Sequence, residues 1–196
     1  MRLLIACERS GVVRDAFLAR GHDAVSCDLV PSDSPGPHIQ GDALALLNDG
    51  WEALVAFPPC TDIAVSGARY FAQKRADGRQ QRALDFVRAL LDADIPSIAL
   101  ENPVSIISTK IRKPDQIIQP WQFGHPDSKT TCLWLKKLPK LRPTNVLPLP
   151  ASGRWDNQTP SGQNKLGPSP TRAVDRARTY QGIADAMAEQ WGGSHA

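Results

Sequence analysis

Cysteine and long apolar runs are scarce in this sequence, and each scarcity excludes a class of site or segment. Only four of its 196 residues are cysteine, and no two of them have the C-x-x-C spacing typical of zinc or dithiol sites. No apolar run approaches the roughly 20 residues that span a bilayer, and the N-terminal segment reaches Glu8 without the apolar core of a secretory signal. We therefore expect a cytoplasmic protein without a membrane span, a metal site or a disulfide framework.

Length and composition fit one globular domain. The chain is 41% hydrophobic and 22% charged, which is ordinary for a folded protein, and its length suits a single core. The net charge is only +3, but residues 110–142 contain eight lysines and arginines against two acidic residues. That segment is either a phosphate-facing surface or a solvated face, and charge alone does not separate the two.

Apolar periodicity predicts strands that alternate with helices. Residues 31–38 and 139–180 are rich in Pro, Ser, Gly and Asn, which predicts loops. The alternation predicts an α/β fold with a mostly parallel sheet flanked by helices. The predicted strands are 2–7, 23–28, 54–57, 97–100, 117–118 and 131–135, and the predicted helical segments are 10–20, 41–48, 79–91 and 181–191.

Polar residues follow the predicted strands at their carboxyl ends, which is where parallel sheets bind ligands. Residues 7–10 (CERS) form the first turn, which lacks the G-x-G-x-x-G of dinucleotide sites. Asp28 ends the second strand about 20 residues later, at a position where an acid can bind the hydroxyls of a ribose. This spacing indicates an adenosine-type ligand, although a capping role for Asp28 is the alternative.

Cys60 follows two prolines on a loop that is stiff, because each proline fixes its own φ. Glu101 ends the next strand, one βαβ crossover later, so both side chains can reach one crevice. A thiolate can act as a nucleophile, and a carboxyl in a dry pocket can keep its proton and donate it to a ring nitrogen. Structural roles for both residues are the alternative reading.

These motifs resemble those of the S-adenosylmethionine-dependent DNA cytosine-5 methyltransferases. Residues 57–60 (FPPC), followed by Ser66 and Gly67, are similar to their catalytic loop, and residues 100–102 (LEN) to their Glu-Asn motif. Residues 6–11 (ACERSG) occupy the position of the family's glycine-rich cofactor loop, but they contain fewer glycines than that loop. Three further matches keep the family order over residues 3–191: Asp28, the pair Gly41 and Asp42, and the C-terminal residues 182–184 (GIA).

The resemblance implies a Rossmann-like class I methyltransferase domain over residues 1–196, in which the helix 181–191 returns to the cofactor site. It implies S-adenosylmethionine as methyl donor, with Cys60 and Glu101 as catalytic residues. The implied cofactor-binding residues are Cys7, Glu8, Ser10, Gly11, Asp28, Leu29, Asp42, Ala43, Pro58, Gly182, Ile183 and Ala184. The implied substrate-binding residues are Pro59, Ser66, Gly67, Asn102, Lys129 and Thr131.

The chemistry that the resemblance implies is addition of the Cys60 thiolate to carbon 6 of cytosine, with protonated Glu101 bonding ring nitrogen 3. Carbon 5 then takes the methyl group, and loss of its proton expels the thiolate. A cytosine in a duplex would have to be flipped out of the stack.

Two departures from the family pattern leave the substrate open. The Gln-x-Arg-x-Arg motif is not visible, and its nearest counterpart is the stretch 128–132 (SKTTC), which contains Lys129. The segment 139–180 is also too short for the family's large target-recognition domain. The substrate is therefore DNA, RNA or a free cytosine nucleotide. A non-catalytic partner subunit on the same fold is the alternative of another class, and the oligomeric state is not encoded in any motif.

Overall fold

A computed structural model describes residues 1–161, 164–165 and 178–193 of the chain. Within them, seven strands form one sheet. The strands are β1 (Arg2–Ala6), β2 (Asp23–Asp28), β3 (His38–Gln40), β4 (Ala53–Ala56), β5 (Ser97–Pro103), β6 (Gln116–Ile118) and β7 (Thr131–Lys136).

The described residues also form five α-helices and three short 3-10 helices. The α-helices are α1 (Val12–Leu18), α2 (Phe71–Ala76), α3 (Arg79–Leu91), α4 (Ile107–Lys110) and α5 (Gln181–Trp191). The 3-10 helices are Ala43–Leu46, Val65–Tyr70 and Pro120–Gln122. None of the helices in the described residues has both the length and the apolar character needed to cross a membrane.

The strand order is β3-β2-β1-β4-β5-β7-β6, and β7 is the one strand that runs against its neighbours. The chain moves outward from β1 in both directions, so β1 and β4 flank a topological switch point, where open α/β sheets bind ligands. The predicted α/β fold, a Rossmann-like and mostly parallel sheet flanked by helices, is confirmed.

Alternation along the strands builds a core on each face of the sheet. Leu3 and Ile5 face the layer of α1 and α5, where Phe17 and Trp191 are buried. Leu4 lies in the opposite core with the buried face of α3. Because both faces are covered by helices, the central strands are apolar almost throughout, as is typical of parallel sheets.

Local patterns predicted the long elements well and the short ones poorly. Helices α3 and α5 have the predicted bounds, but the predicted loop 31–38 leads directly into β3. That loop is organised by Arg14, whose guanidinium is fully buried. It donates hydrogen bonds to the hydroxyls of Ser26, Ser32 and Ser34 and to the carbonyl of Pro35. Composition alone does not reveal this network, since it depends on a residue from α1.

Candidate active site

A cleft of about 430 Å³ opens at the carboxyl ends of β1, β2 and β4. Its volume is in the range of small-molecule binding sites. Six residues of the predicted site line it: Cys7, Asp28, Leu29, Asp42, Ala43 and Pro59. Sequence reasoning missed the opposite wall, which includes Ala83 and Phe86 of α3. These two have ordinary apolar helix spacing, and only the packing of α3 beside the switch point gives them this position.

The walls of the cleft combine apolar side chains with carboxylates. Leu29 is 72% exposed and offers an apolar surface, and Phe86 lies in the opposite wall. The carboxylate of Asp28 stands at the end of β2 and accepts the main-chain N–H of Val30 at 3.2 Å. Asp42 caps a 3-10 helix through the N–H of Leu44 at 2.9 Å. Each carboxylate keeps acceptor capacity, since an ionised carboxylate has about four lone-pair sites.

Cys7 contributes a neutral thiol to this cleft. It has a left-handed backbone with φ of 59°, which is uncommon for a residue other than glycine. Burial, followed by the nearby charge of Asp28, raises the pKa of Cys7 to about 12. Cys7 is therefore part of the wall and not a nucleophile.

Glu8, Ser10 and Gly11 contact the start of α1 and are not among the lining residues of the cleft. The buried carboxylate of Glu8 accepts the N–H groups of Val13 at 2.7 Å and Arg14 at 3.3 Å, and the Ser10 hydroxyl lies 3.3 Å from it. Burial raises the pKa of Glu8. The structure thus gives Glu8, predicted to contact the cofactor, a helix-capping role.

The Pro-Pro-Cys loop is anchored to both neighbouring strands. The N–H of Phe57 bonds to the carbonyl of Ala6 in β1 at 2.9 Å. Asn102 in β5 donates its side-chain amide to the carbonyl of Pro58 at 2.9 Å. Pro58 is buried, and Pro59 is exposed and lines the cleft. The predicted roles, cofactor binding for Pro58 and substrate binding for Pro59, stay predictions.

Cys60 begins a tight turn at the end of that loop and is partly buried. Its carbonyl accepts the N–H groups of Ile63 at 3.1 Å and Ala64 at 2.8 Å. The chain then attaches to the segment after β5, where the N–H of Val65 bonds to the carbonyl of Val104 at 3.0 Å. Because β4 and β5 are adjacent parallel strands, this attachment holds the Cys60 turn beside the carboxyl end of the strand that carries Glu101.

Glu101 is partly buried on β5 and lies opposite Leu133 of β7. Burial raises the pKa of Glu101, and the ammonium of Lys129 and the hydroxyl of Thr131 oppose this shift without cancelling it. The structure therefore places Glu101 beside Lys129 and Thr131, two residues of the predicted site that lie far from it in sequence. A carboxyl of raised pKa is suited to hold and donate a proton.

Lys129 is oriented by the loop that precedes β7. Its N–H bonds to the side-chain oxygen of Gln119 at 3.0 Å, and its ammonium lies 5.9 Å from the ring centre of Tyr180. The Tyr180 hydroxyl in turn donates to Asp127 at 2.8 Å. The contacts with Gln119 and Tyr180 restrain Lys129, whose ammonium interacts with Glu101.

Gly182, Ile183 and Ala184 stand at the start of α5 but do not line the cleft. Ile183 and Ala184 are buried in the core against α1, so their side chains pack and do not face a ligand. A Cβ at Gly182 would come within 2.0 Å of the carbonyl oxygen of Phe123. The main-chain N–H of Gly182 donates to Nε2 of His125 at 2.9 Å. The motif therefore joins α5 to the loop after β6.

Three tryptophans stack or pack within the fold, whereas the predicted substrate-binding residues Ser66 and Gly67 lie at or near the surface. Trp121 stacks on Trp155 with ring centres 6.1 Å apart and planes 8° from parallel, and Trp134 is buried in the core. Ser66 is exposed and Gly67 half-buried in the 3-10 helix that follows the Cys60 turn. Within the described part of the chain, no group of three His, Cys, Asp or Glu residues could hold a metal ion.

The basic segment 110–142 divides between two ends of the molecule. Lys129 is near Glu101, whereas Lys136 pairs with Ile98 near the amino end of β5. Lys137 and Lys140 follow Lys136 and are exposed. Because β7 runs against β5, these lysines lie at the sheet edge away from the cleft. The cations of the segment therefore do not all lie at the end of the sheet that carries Glu101.

Comparison with known proteins identifies no matching family model and no matching curated protein. Among solved structures, the chain is similar to a protein provisionally named as a DNA modification methyltransferase encoded within a prophage of E. coli. The two are 16% identical with a TM-score of 0.48, and the match covers 78% of this chain and 53% of that one. The chain thus spans about half the length of that protein.

Proposed function

We propose that this protein transfers a methyl group from S-adenosylmethionine to carbon 5 of cytosine in DNA through a covalent Cys60 adduct. One arrangement carries the proposal. Cys60 lies in the loop after β4, and Glu101 lies on the adjacent parallel strand β5. Burial raises the pKa of Glu101, and Pro59, next to Cys60, lines the cleft. We further propose that residues 1–196 act as one domain.

The residues of the cleft support the methyl donor in its adenosine half. Asp28 would accept hydrogen bonds from the ribose hydroxyls, Leu29 and Phe86 would cover the faces of the adenine, and Asp42 with Ala43 would meet its polar edge. When bound there, S-adenosylmethionine supplies an electrophilic methyl group. Cys7 lines the same cleft as a neutral thiol and does not compete as a nucleophile for that methyl group.

The chemical sequence uses two side chains of the protein. The Cys60 thiolate forms a bond from sulfur to carbon 6, and protonated Glu101 gives its proton to ring nitrogen 3, so that charge does not accumulate on the ring. Carbon 5 gains electron density from the Cys60 adduct and would form a bond to the methyl group, while the electrons of the broken sulfur–methyl bond would stay on the donor's sulfur. A base then removes the proton from carbon 5, the double bond to carbon 6 reforms, the thiolate leaves, and Glu101 takes its proton back from ring nitrogen 3.

Transfer of labelled methyl groups tests the activity. The protein is incubated with methyl-labelled S-adenosylmethionine and separate pools of DNA, RNA and cytosine nucleotides. We expect label in DNA at carbon 5 of cytosine. If no pool is labelled, the non-catalytic partner role replaces the proposal.

Trapping tests the nucleophile. A fluorine at carbon 5 leaves no proton to remove, so DNA containing 5-fluorocytosine should remain covalently bound to the wild-type protein. Cys60→Ser should form no adduct and Cys132→Ser, at a buried cysteine of the same sheet, should still form one. An adduct that persists in Cys60→Ser would contradict the assignment.

The second candidate keeps the chemistry and changes the substrate to RNA or a free cytosine nucleotide. It is favoured by the short connection between β7 and α5, which leaves no room for a large recognition domain. Binding measured over a range of salt distinguishes the cases, because each phosphate contact contributes a slope of about 0.7 to 0.9 in log affinity against log salt. Affinity for a mononucleotide that is independent of salt would favour the second candidate.

A further inference from the structure

A buried lysine lies behind the turn that carries Cys60. Lys74 of α2 is only 6% exposed, although the residues on either side of it in the helix are exposed. Its ammonium donates to the main-chain carbonyl of Thr61 and lies 3.4 Å from Oδ1 of Asp62. Thr61 and Asp62 directly follow Cys60, and both line the cofactor cleft. One side chain thus contacts the short segment that joins the thiol to the cleft.

The other parts of the Cys60 loop are attached to strand β5 and to the segment after it. The contact of Lys74 therefore serves only the residues between these attachments. Asn102 holds the carbonyl of Pro58 on the amino side of Cys60. On the carboxyl side, the N–H of Ile106 bonds to the carbonyl of Ile63 at 3.1 Å. Thr61 and Asp62 lie between these two attachments. Lys74 supplies the close contact there.

Two other polar side chains approach Asp62 from α3, but at longer range. The amide of Gln80 is 3.5 Å from its carbonyl oxygen, and the guanidinium of Arg79 is 3.8 Å from its carboxylate. Arg79 has a closer partner in Asp77 at 2.8 Å. Asp62 therefore depends on Lys74 for its nearest charged partner among the described residues.

Stability alone does not account for a buried ion pair of this kind. Removing two charges from water is unfavourable, and an apolar pair of similar volume is often equally stable. What the pair provides is a defined geometry, since the ammonium must meet a carbonyl and a carboxylate on consecutive residues. Gly67 borders this pair, and a Cβ there would make only ordinary van der Waals contacts, 3.6 Å from the ammonium nitrogen and 3.8 Å from the Thr61 oxygen.

We propose that Lys74 is a positioning residue, which fixes the Cys60 turn against the cofactor cleft and thereby orients the thiolate toward the ring that it attacks. The inference rests on the proposed function, in which Cys60 is the nucleophile. Lys74 touches neither cofactor nor substrate in this role. It acts through Thr61 and Asp62.

The kinetic test compares Lys74→Met with Arg75→Met. The first variant keeps the length of the buried side chain and removes its donor, and the second removes one positive charge from the exposed neighbour. In Lys74→Met we expect kcat for methyl transfer to fall about 10- to 100-fold, since small errors of alignment have effects of that size. The KM for the methyl donor should stay close to that of the wild type.

Lys74→Arg separates positioning from packing. This variant retains a cationic donor, so it should recover part of the kcat lost in Lys74→Met. Its KM for the methyl donor should also stay close to that of the wild type. An unchanged kcat in Lys74→Met, or an equal fall in Arg75→Met, would overturn the proposal.

Alkylation of Cys60 keeps the test independent of the reaction. The rate of modification by iodoacetamide, followed by mass spectrometry of the Cys60 peptide, should rise in Lys74→Met and stay unchanged in Arg75→Met. If the wild type transfers no methyl group, the proposed function fails while this measurement still decides the contact. If Lys74→Met does not fold, Asp62→Asn replaces it, and a wild-type alkylation rate there would contradict the inference.

Discussion

At the scale of single residues, two buried glutamates show how surroundings assign roles to identical side chains. Burial raises the pKa of both Glu8 and Glu101. The carboxylate of Glu8 accepts two N–H groups at the start of α1, and its hydrogen-bonding capacity serves that helix. Glu101 instead stands near Lys129 and Thr131 at a strand end. Of the two, Glu101 is the one that we propose to exchange a proton with a ligand.

Asp28 provides a test of the cofactor cleft at this scale. Asp28→Ala should weaken binding of S-adenosylmethionine by about 10- to 100-fold, since hydrogen bonds to a charged group contribute about 1.5 to 3 kcal/mol. Isothermal titration calorimetry measures this directly. Asp23→Ala is the matched control, because Asp23 begins the same strand and lies away from the cleft. Equal affinity of both variants would exclude Asp28 as a ligand of the ribose.

At the scale of elements, the approach of α5 to the loop after β6 requires a glycine. Gly182→Ala places a methyl group 2.0 Å from the carbonyl oxygen of Phe123, so the helix or the loop must move. We expect a loss of about 1 to 3 kcal/mol in the free energy of unfolding, which is typical of overpacking. Urea denaturation checks this value.

Gly193, just beyond the same helix, is the control for that change. A Cβ at Gly193 meets nothing within 4 Å, so Gly193→Ala should leave the free energy of unfolding within about 0.5 kcal/mol of the wild type. A Gly182→Ala variant as stable as this control would show that the contact relaxes without strain.

Local sequence patterns predicted elements whose own residues specify them. Helix α3 has an apolar face of Leu84, Val87 and Leu90, and this periodicity is visible without any partner. Strand β3 has only three residues, and its pairing with β2 defines it as a strand, since three residues show no periodicity of their own. Helices α2 and α4 are similarly short. Such elements depend on neighbours distant in sequence, so their patterns carry little local signal.

At the scale of the whole molecule, Glu101 affects how stability varies with pH. Its pKa is raised above the ordinary value of 4.5, so the folded state holds the proton more tightly than the unfolded state. The contribution of the protonated carboxyl to stability is complete below the unfolded pKa. It is lost as the pH rises through the folded pKa.

Glu101→Gln removes this titration and tests its sign. The free energy of unfolding of the variant, relative to the wild type, should increase from pH 4 to pH 8. Glu189→Gln, at an exposed site on α5, should follow the wild-type profile. Profiles of Glu101→Gln and the wild type that stay parallel would show that burial does not raise the pKa of Glu101.

The sequence by itself determined the alternation of strands and helices and the placement of Cys60 and Glu101 at the carboxyl ends of neighbouring strands, although β5 continues past Glu101 to Pro103. It could do so because apolar periodicity and proline geometry are local properties. Tertiary structure alone decided which proline lines the cleft, that Phe86 forms its far wall, and that Lys74 contacts the Cys60 turn. It also separated Lys129 from Lys136, Lys137 and Lys140, because the reversed direction of β7 carries the chain to the opposite end of the sheet.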